Sequence, residues 1–369
     1  MSTTDYNLIE VDGAPVYFIN DVNSDDEQSD PELYSSSSTS SGSADTLSSF
    51  EIHDYFQEIQ GRMFPVDDNV AISLPQDSAE VQRSRNHHII FKMILRSNYW
   101  GPVEQVLAPI PGERERKKVL DMVTAEGSWV QEMAQQFPHV DFLSVDNVPL
   151  TSHVPRPNIE FEVYDIFNGI AAPDESFDLV HIRQSTAHIR NPKDLIRDIH
   201  RVLKPGGLLL FVDSELDVFD GMNPKLPAGD TFPGLDAALR VVRRSLEQQG
   251  VNVYLWRDLP KMLSPDSELW VSRRGMNQQK KQPGFRNIRH KAHLFPANGS
   301  LPSEMYYKAL GKLAGDTWKL MWRNMEIPFQ IYGMDPEMAH QIVQGAVDDL
   351  DRTDRAVAAK TQTVYAFKI

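Results

Sequence analysis

Between Lys117 and Asp213 the chain alternates short apolar runs with amphipathic helical stretches, and this alternation limits the fold more than any other feature. The runs KKVLDM (117–122), VDFLSVD (140–146), IEFEVYD (159–165), FDLVHIR (177–183) and GLLLFVD (207–213) read as strands. The spacing predicts helices over 128–137 and 193–203. The first of these puts Val130, Met133, Ala134 and Phe137 on one face and stops at Pro138. Strand, helix, strand in sequence calls for parallel strands joined by right-handed crossovers, since a tight turn cannot join parallel neighbours. The expected fold class is therefore α/β, a doubly wound and mostly parallel sheet around 113–215. Lys204-Pro205-Gly206-Gly207 is expected to end a helix and turn into the next strand.

On the N-terminal side, apolar residues at helical spacing over 50–62 and again over 77–99 predict a helical segment spanning 51–112. On the C-terminal side, 216–369 reads as a helical cap and substrate region. It holds helices over 232–249, 303–324 and 335–350, a strand-like RNIRHKAHLF (286–295) and a closing strand in TVYAFKI. Residues 1–50 contain ten carboxylates and no Lys or Arg, and 35–49 are mostly Ser, Thr and Gly. Such a composition does not bury enough apolar surface to offset chain entropy, so a disordered acidic tail is expected there. Its functional readings are phosphorylation of its serines and contact with a protein partner.

The chain has no cysteine, which excludes disulfides, thiolate metal sites and a cysteine nucleophile. The formal charge of −15 argues against a nucleic-acid binder held by phosphate contacts. With neither a basic, apolar leader nor a run of about 18 apolar residues, the expectation is a soluble cytoplasmic protein without a membrane segment. The basic stretch from Arg273 through Lys280 to Lys291 reads as a solvated surface, with nuclear import or partner docking as alternatives. His and carboxylate residues do not pair at ligand spacing, so no metal is expected.

In a doubly wound sheet, ligands bind beyond the carboxyl ends of the strands near the switch in strand order. Asp121-Met122-Val123-Thr124-Ala125-Glu126-Gly127 follows the first strand, Asp146 ends the second, and Asp165-Ile166 follows the third. An acid about 20 to 25 residues beyond a strand–loop–helix turn is placed to accept from ribose hydroxyls, which suggests an adenosine-containing ligand.

At these residues the chain resembles the class I S-adenosylmethionine-dependent methyltransferases, and within them the fungal LaeA-like group associated with secondary metabolism. The resemblance runs from about Gly61 to the C-terminus. It rests on GRMFPVDD, the helix carrying Arg83 and His88, LAPI, VLDMVTAEGSWVQEMAQQFP, FDLVHIR and HRVLKPGGLLLF. It implies a Rossmann-like fold and S-adenosylmethionine as cofactor. Carried over position by position, it assigns Asp121, Thr124 and Gly127 to the cofactor loop, Asp146 to the ribose and Asp165 with Ile166 to the adenine.

The sequence departs from the family at the loop, which should read acid-x-Gly-x-Gly-x-Gly but has Val123 and Ala125 at the first two glycine positions. Side chains there oppose positive φ and crowd the ligand, at a cost of roughly 1 to 3 kcal/mol, or about 5- to 150-fold in affinity. Candidate catalytic residues at strand ends are His188, as a base, and His181, which the strand pattern also explains as a packed residue. Asp213, Glu215, Asp217 and Asp220 form an acidic rim that either meets a cationic substrate or faces water. Tyr306, Tyr307, Trp318, Met321, Trp322 and Met325 offer an apolar substrate surface or a helix core. Three functions stay open: a methyltransferase acting on an apolar or aromatic small molecule of secondary metabolism, a regulator with weakened or lost cofactor binding, and an enzyme reusing the cleft for another reaction.

Overall fold

The computed structural model describes residues 54–66, 74–112, 115–149, 156–270, 284–300 and 304–369, with short strand pieces at 10–11, 14–15, 17–18 and 152–153. The Ser-rich stretch 35–49 and the basic residues Arg273, Arg274, Lys280 and Lys281 lie outside the described residues.

The N-terminal segment corrects the sequence expectation. In place of a helix over 50–62, β1 (Phe56–Ile59) and β2 (Arg62–Pro65) form an antiparallel hairpin whose two-residue loop is Gln60-Gly61. Both loop residues have positive φ, +52° and +74°, the backbone that matches the twist of a hairpin and that glycine adopts without penalty. The helix that follows, α1 (Ser78–Leu95), starts where Asp77 accepts from the Glu80 amide, and it buries Ile90 and Phe91. A short α2 (Val103–Leu107) then packs Val103 and Leu107 beneath the sheet.

The central sheet follows the sequence pattern closely. Its parallel strands are β3 (Lys117–Met122), β4 (Val140–Asp146), β5 (Ile159–Val163), β6 (Phe177–Arg183) and β7 (Leu203–Ser214). The crossovers include α3 (Ser128–Gln136) between β3 and β4, and α4 (Pro192–Val202) between β6 and β7. Helices cover both faces, so β6 is almost wholly buried, Asp178 and His181 included. The Lys204–Gly207 turn is absorbed into β7 as a bulge: Phe177 pairs with Leu203, then Leu179 pairs with Leu208.

Beyond β7 come β8 (Phe219–Asp220), α5 (Pro233–Gln248), α6 (Leu255–Leu263), β9 (Phe285–Pro296), α7 (Met305–Asn324), α8 (Glu326–Ile331), α9 (Pro336–Asp351) and β10 (Val357–Lys368). Strand β10 runs antiparallel between β7 and the edge strand β9, giving the order β5-β4-β3-β6-β7-β10-β9, with β8 added beside β10. The switch in order falls between β3 and β6, so ligand chemistry is expected above their carboxyl ends. Helices α1, α5, α7, α8 and α9 share a second apolar core there, around Leu239, Trp318, Trp322 and Phe329.

Within this cap the start of α5 lies directly on α9. The Leu235 amide, one of the unpaired donors of the first turn, donates to the buried Asp349 carboxylate at 2.9 Å. A Cβ on Gly234 would stand 2.2 Å from the Gly345 carbonyl oxygen, so the approach requires a bare backbone. Gly234→Ala is therefore expected to lower stability by about 1 to 3 kcal/mol. A urea melt should show a lower midpoint at unchanged slope; an unshifted midpoint would mean that the two helices separate at no cost.

Candidate functional site

The site is built on a buried carboxylate. Asp121, near the end of β3, is 3% exposed, and its Oδ2 accepts from the Thr124 hydroxyl at 2.9 Å. Ser144 on β4 places its hydroxyl 3.1 Å from the same oxygen and 2.6 Å from Thr124 Oγ1. Oδ1 lies 2.7 Å from His181 Nδ1 on β6, and the His181 ring stacks on Trp129 of α3 with centroids 3.5 Å apart. Burial outweighs the neighbouring carboxylate and holds His181 below its ordinary pKa. The ring is thus neutral and its Nδ1–H donates to Asp121. One carboxylate ties three adjacent strands to the loop that leaves the first of them.

That loop, 123–127, adopts a left-handed backbone at alternate residues: φ is +59° at Val123, +52° at Ala125 and +77° at Gly127. The two non-glycine residues hold the conformation expected of glycine, at a cost of roughly 1 to 2 kcal/mol each, and more for the β-branched one. Hydrogen bonds over-determine the shape. The Val123 and Thr124 amides donate to the Val145 carbonyl at 2.9 and 3.3 Å, and the Ala125 amide donates to Asp146 Oδ2 at 2.9 Å. Asp146 also accepts from the Val148 amide at 3.4 Å, and burial pushes its carboxyl up to about 6.

Above the loop lies a cavity of about 370 Å³ at the carboxyl ends of the strands. Val123 to Glu126, Asp146, Val148 and Phe167 form one wall; Arg183, Thr186, His188, Asp213 and Glu215 form the other. Helix α1 closes one side with Glu80, Arg83, Ser84, His87 and His88. It is fastened to the loop by the Ser84 hydroxyl, which donates to Glu126, and to α3 by Lys92 on Glu132 at 2.6 Å. Arg83 is saturated by Glu80, while Arg183 reaches His88 Nδ1 at 3.2 Å. Burial and the Arg183 charge lower His88 to about 4, so it is neutral at pH 7. The cap supplies Leu239, Val242, Trp318, Met321, Trp322 and Met325.

A family described as a methyltransferase domain matches residues 96–289, just over half of the chain, and takes in the strands, the loop and both walls of the cavity up to Glu215. The chain belongs to this methyltransferase-domain family. Methyltransferase str3 of Strobilurus tenacellus is 30% identical over 168 residues, 45% of this chain and 58% of that protein. The secondary metabolism regulator laeA of Coprinopsis cinerea is 30% identical over 166 residues, 44% of this chain and 40% of that protein. The chain thus spans about half the length of these relatives. Among solved structures, phosphoethanolamine N-methyltransferase 2 of Haemonchus contortus, in complex with S-adenosyl-L-methionine, is 14% identical, covers 76% of this chain and 56% of that one, and has a TM-score of 0.39.

The predicted residues divide. Thr124, Asp146, His188, Asp213, Glu215, Trp318, Met321, Trp322 and Met325 line the cavity. His181 does not, because its ring is sandwiched between Trp129 and Asp121. Asp121 and Gly127 lie beneath the wall, as clamp and N-cap of α3. Asp165 and Ile166 also stand outside it: Asp165 caps a turn by accepting from the Phe167 amide, Ile166 is core, and Phe167 is the residue at the cavity. Of the acidic rim, Asp217 is paired with Arg243 at 2.7 Å and Asp220 accepts from the Met222 and Asn223 amides. Tyr306 and Tyr307 stay outside the cavity wall, Tyr306 donating to the Met93 carbonyl. Sequence reasoning gave no role to Glu126, Phe167 and Arg183, although Glu126 and Phe167 adjoin Gly127 and Ile166 and Arg183 lies two residues beyond His181. The described residues include no group of three or more His and carboxylates able to hold a metal, and no helix long and apolar enough to cross a membrane.

The strained loop gives a direct test of its backbone. Ala125 is exposed, so Ala125→Gly removes left-handed strain without losing packing, against roughly 0.4 to 1 kcal/mol of added unfolded-state entropy. Stability should rise by up to about 1.6 kcal/mol, whereas Ala125→Val should lower it. The reverse ranking in denaturant melts would show that the loop does not hold positive φ.

Proposed function

We propose that the cavity binds S-adenosylmethionine and that the chain is a methyltransferase acting on a small, apolar or aromatic molecule of secondary metabolism. The observation that carries this reading is the loop: three alternate left-handed residues open the backbone beneath the cavity, and a carboxylate from the next strand stands beside it. These residues fit an adenosine-bearing group. Asp146 would accept from ribose hydroxyls, Val148 and Phe167 would flank the base, and the 123–127 backbone would face the amino-acid end. When bound, the group supplies a methyl on sulfonium, already a good leaving group, so the protein's task is alignment and exclusion of water. Helix α1 and the Trp318–Trp322 face of α7 close the cavity for that purpose. The proton released by an acceptor falls to the β6–β7 end, where His188, Asp213 and Glu215 stand. The acidic N-terminal segment is the candidate surface for a protein partner, and the cytoplasm or nucleus the expected place of action.

A second reading, a regulator with weakened cofactor binding, has one observation in its favour. Val123 and Ala125 carry Cβ atoms where the family backbone is bare. Calorimetric titration with S-adenosylmethionine and S-adenosylhomocysteine separates the two. Micromolar affinity supports the methyltransferase; silence up to millimolar ligand, in both the natural chain and Val123→Gly/Ala125→Gly, overturns it. The double glycine change is expected to tighten binding about 5- to 150-fold.

Asp146→Ala should weaken binding by about 10- to 150-fold, the worth of hydrogen bonds to a charged acceptor. The pH profile has a definite sign. Asp146 titrates at about 6 in the folded chain, and only its ionised form accepts on both oxygens. Affinity should therefore hold above pH 6 and fall by up to about tenfold for each unit below it. A flat profile between pH 7 and 5 would remove Asp146 from the ligand contact.

A further inference from the structure

The cavity carries an unbalanced charge. Its walls hold the carboxylates of Glu80, Glu126, Asp146, Asp213 and Glu215 against the guanidiniums of Arg83 and Arg183. Arg83 is matched by Glu80 at 2.7 Å. Four carboxylates then share the cavity with one remaining guanidinium, Arg183, which is held by His88 and the Phe91 ring, and among the described residues none of the five makes an ion pair within 4 Å. Asp146 accepts from the Ala125 and Val148 amides and Asp213 from the Thr186 and Ser214 amides at 2.8 and 2.7 Å, whereas Glu126, only partly buried, accepts from Ser84 on Oε2 and has no partner on Oε1.

Of the two carboxylates among these four that are fully buried, Asp213 and Glu215, Glu215 has the fewer donors. It is 7% exposed, and among the described residues it has one hydrogen-bond partner, the neutral Gln362 amide. The cations in its surroundings are placed against rings: Lys360 Nζ lies 3.4 Å from the Phe219 centroid, and the Arg257 guanidinium 4.0 Å from that of Tyr254. Leaving a carboxylate so buried beside a single neutral donor is costly. The same cavity is walled by Trp318 and Trp322, whose ring faces attract cations, and by Met321 and Met325.

We propose that the acceptor is an amine, held as its ammonium by Glu215 beside Trp318 and Trp322, and that Glu215 takes its proton. This rests on the methyltransferase reading and narrows its substrate class. One proton passes from the ammonium nitrogen to the Glu215 carboxylate while nitrogen keeps the electron pair and becomes nucleophilic; the carboxyl later returns the proton to solvent. Burial raises the Glu215 carboxyl above its ordinary pKa, which makes it a better proton acceptor than an exposed carboxylate.

Three probes with one ring and different charge test the site on the full chain: 2-phenylethylamine, 2-phenylethanol and 3-phenylpropanoate, titrated calorimetrically with and without S-adenosylhomocysteine. The amine should bind at least about tenfold tighter than the alcohol, with the acid weakest. Glu215→Gln, which keeps shape, should bring the amine to the level of the alcohol. An amine no tighter than the alcohol, a preference for the acid through Arg183, no heat from any probe, or an amine affinity unchanged in a folded Glu215→Gln chain would each overturn the proposal. The ranking in the natural chain stands whether or not the variant folds. Heat from S-adenosylhomocysteine without the amine preference refutes this site alone. The amine preference without cofactor heat supports this site and refutes the cofactor reading.

Discussion

The Asp121 carboxylate is the constraint on which the rest of the site depends. A buried carboxylate is tolerated only when its oxygens are satisfied, and here the donors come from three separate strands or loops: Thr124 after β3, Ser144 on β4 and His181 on β6. Satisfying Asp121 therefore fixes the relative height of the three strands that flank the switch in sheet order. It also fixes the first turn of the loop, because Thr124 can reach the carboxylate only if the chain reverses at Val123. The stacking of Trp129 on His181 extends the same constraint to α3. Removal of the carboxylate would leave the buried Thr124 hydroxyl and His181 ring N–H without their acceptor, each worth about 1 to 3 kcal/mol.

The loop stores strain that this clamp sustains. Val123 and Ala125 take a backbone that their side chains oppose, and such conformations persist only where the surroundings over-determine them. The Val145 carbonyl and the Asp146 carboxylate supply that determination from the neighbouring strand. Asp146 thus has two claims on its oxygens: the Ala125 amide, which holds the loop, and any ligand hydroxyl above it. A carboxylate has about four acceptor positions, so the two claims are compatible when it is ionised. Protonation sets them in competition, and the loop geometry and ligand affinity are thereby linked.

The core of the fold was legible because its buried strands are short runs rich in apolar residues with abrupt ends. FDLVHIR and VDFLSVD match β6 and β4 residue for residue for that reason. The hairpin at Phe56–Pro65 was not legible, since four-residue strands are too short for periodicity to tell from a helix; the Gln60-Gly61 turn was the available signal. Strand-end residues such as Asp146, Asp213 and Glu215 could be placed from topology alone. The α1 wall could not, because Glu80, Ser84 and His87 reach the cavity only through the packing of α1 against the cap. His181 was open to two readings for a related reason: a histidine two residues from a strand end can look available, and the Trp129 face and the Asp121 oxygen place it as the packed residue that the strand pattern also allowed.

The cap changes what the strand ends can do. In an open cleft, Asp213 and Glu215 would be solvated carboxylates of ordinary character, with water as the partner for each oxygen. Helices α5 and α7 replace that water with Leu239, Val242, Trp318 and Trp322, which lowers the local dielectric and strengthens any charge that remains. The approach of α5 to α9, made possible by bare backbone at Gly234 and Gly345 and fixed by Asp349 on the Leu235 amide, brings this apolar wall close. Any charge selection by the cavity would thus be a consequence of helix packing on the far side of the cap. The same strand-end acids would carry little specificity without it.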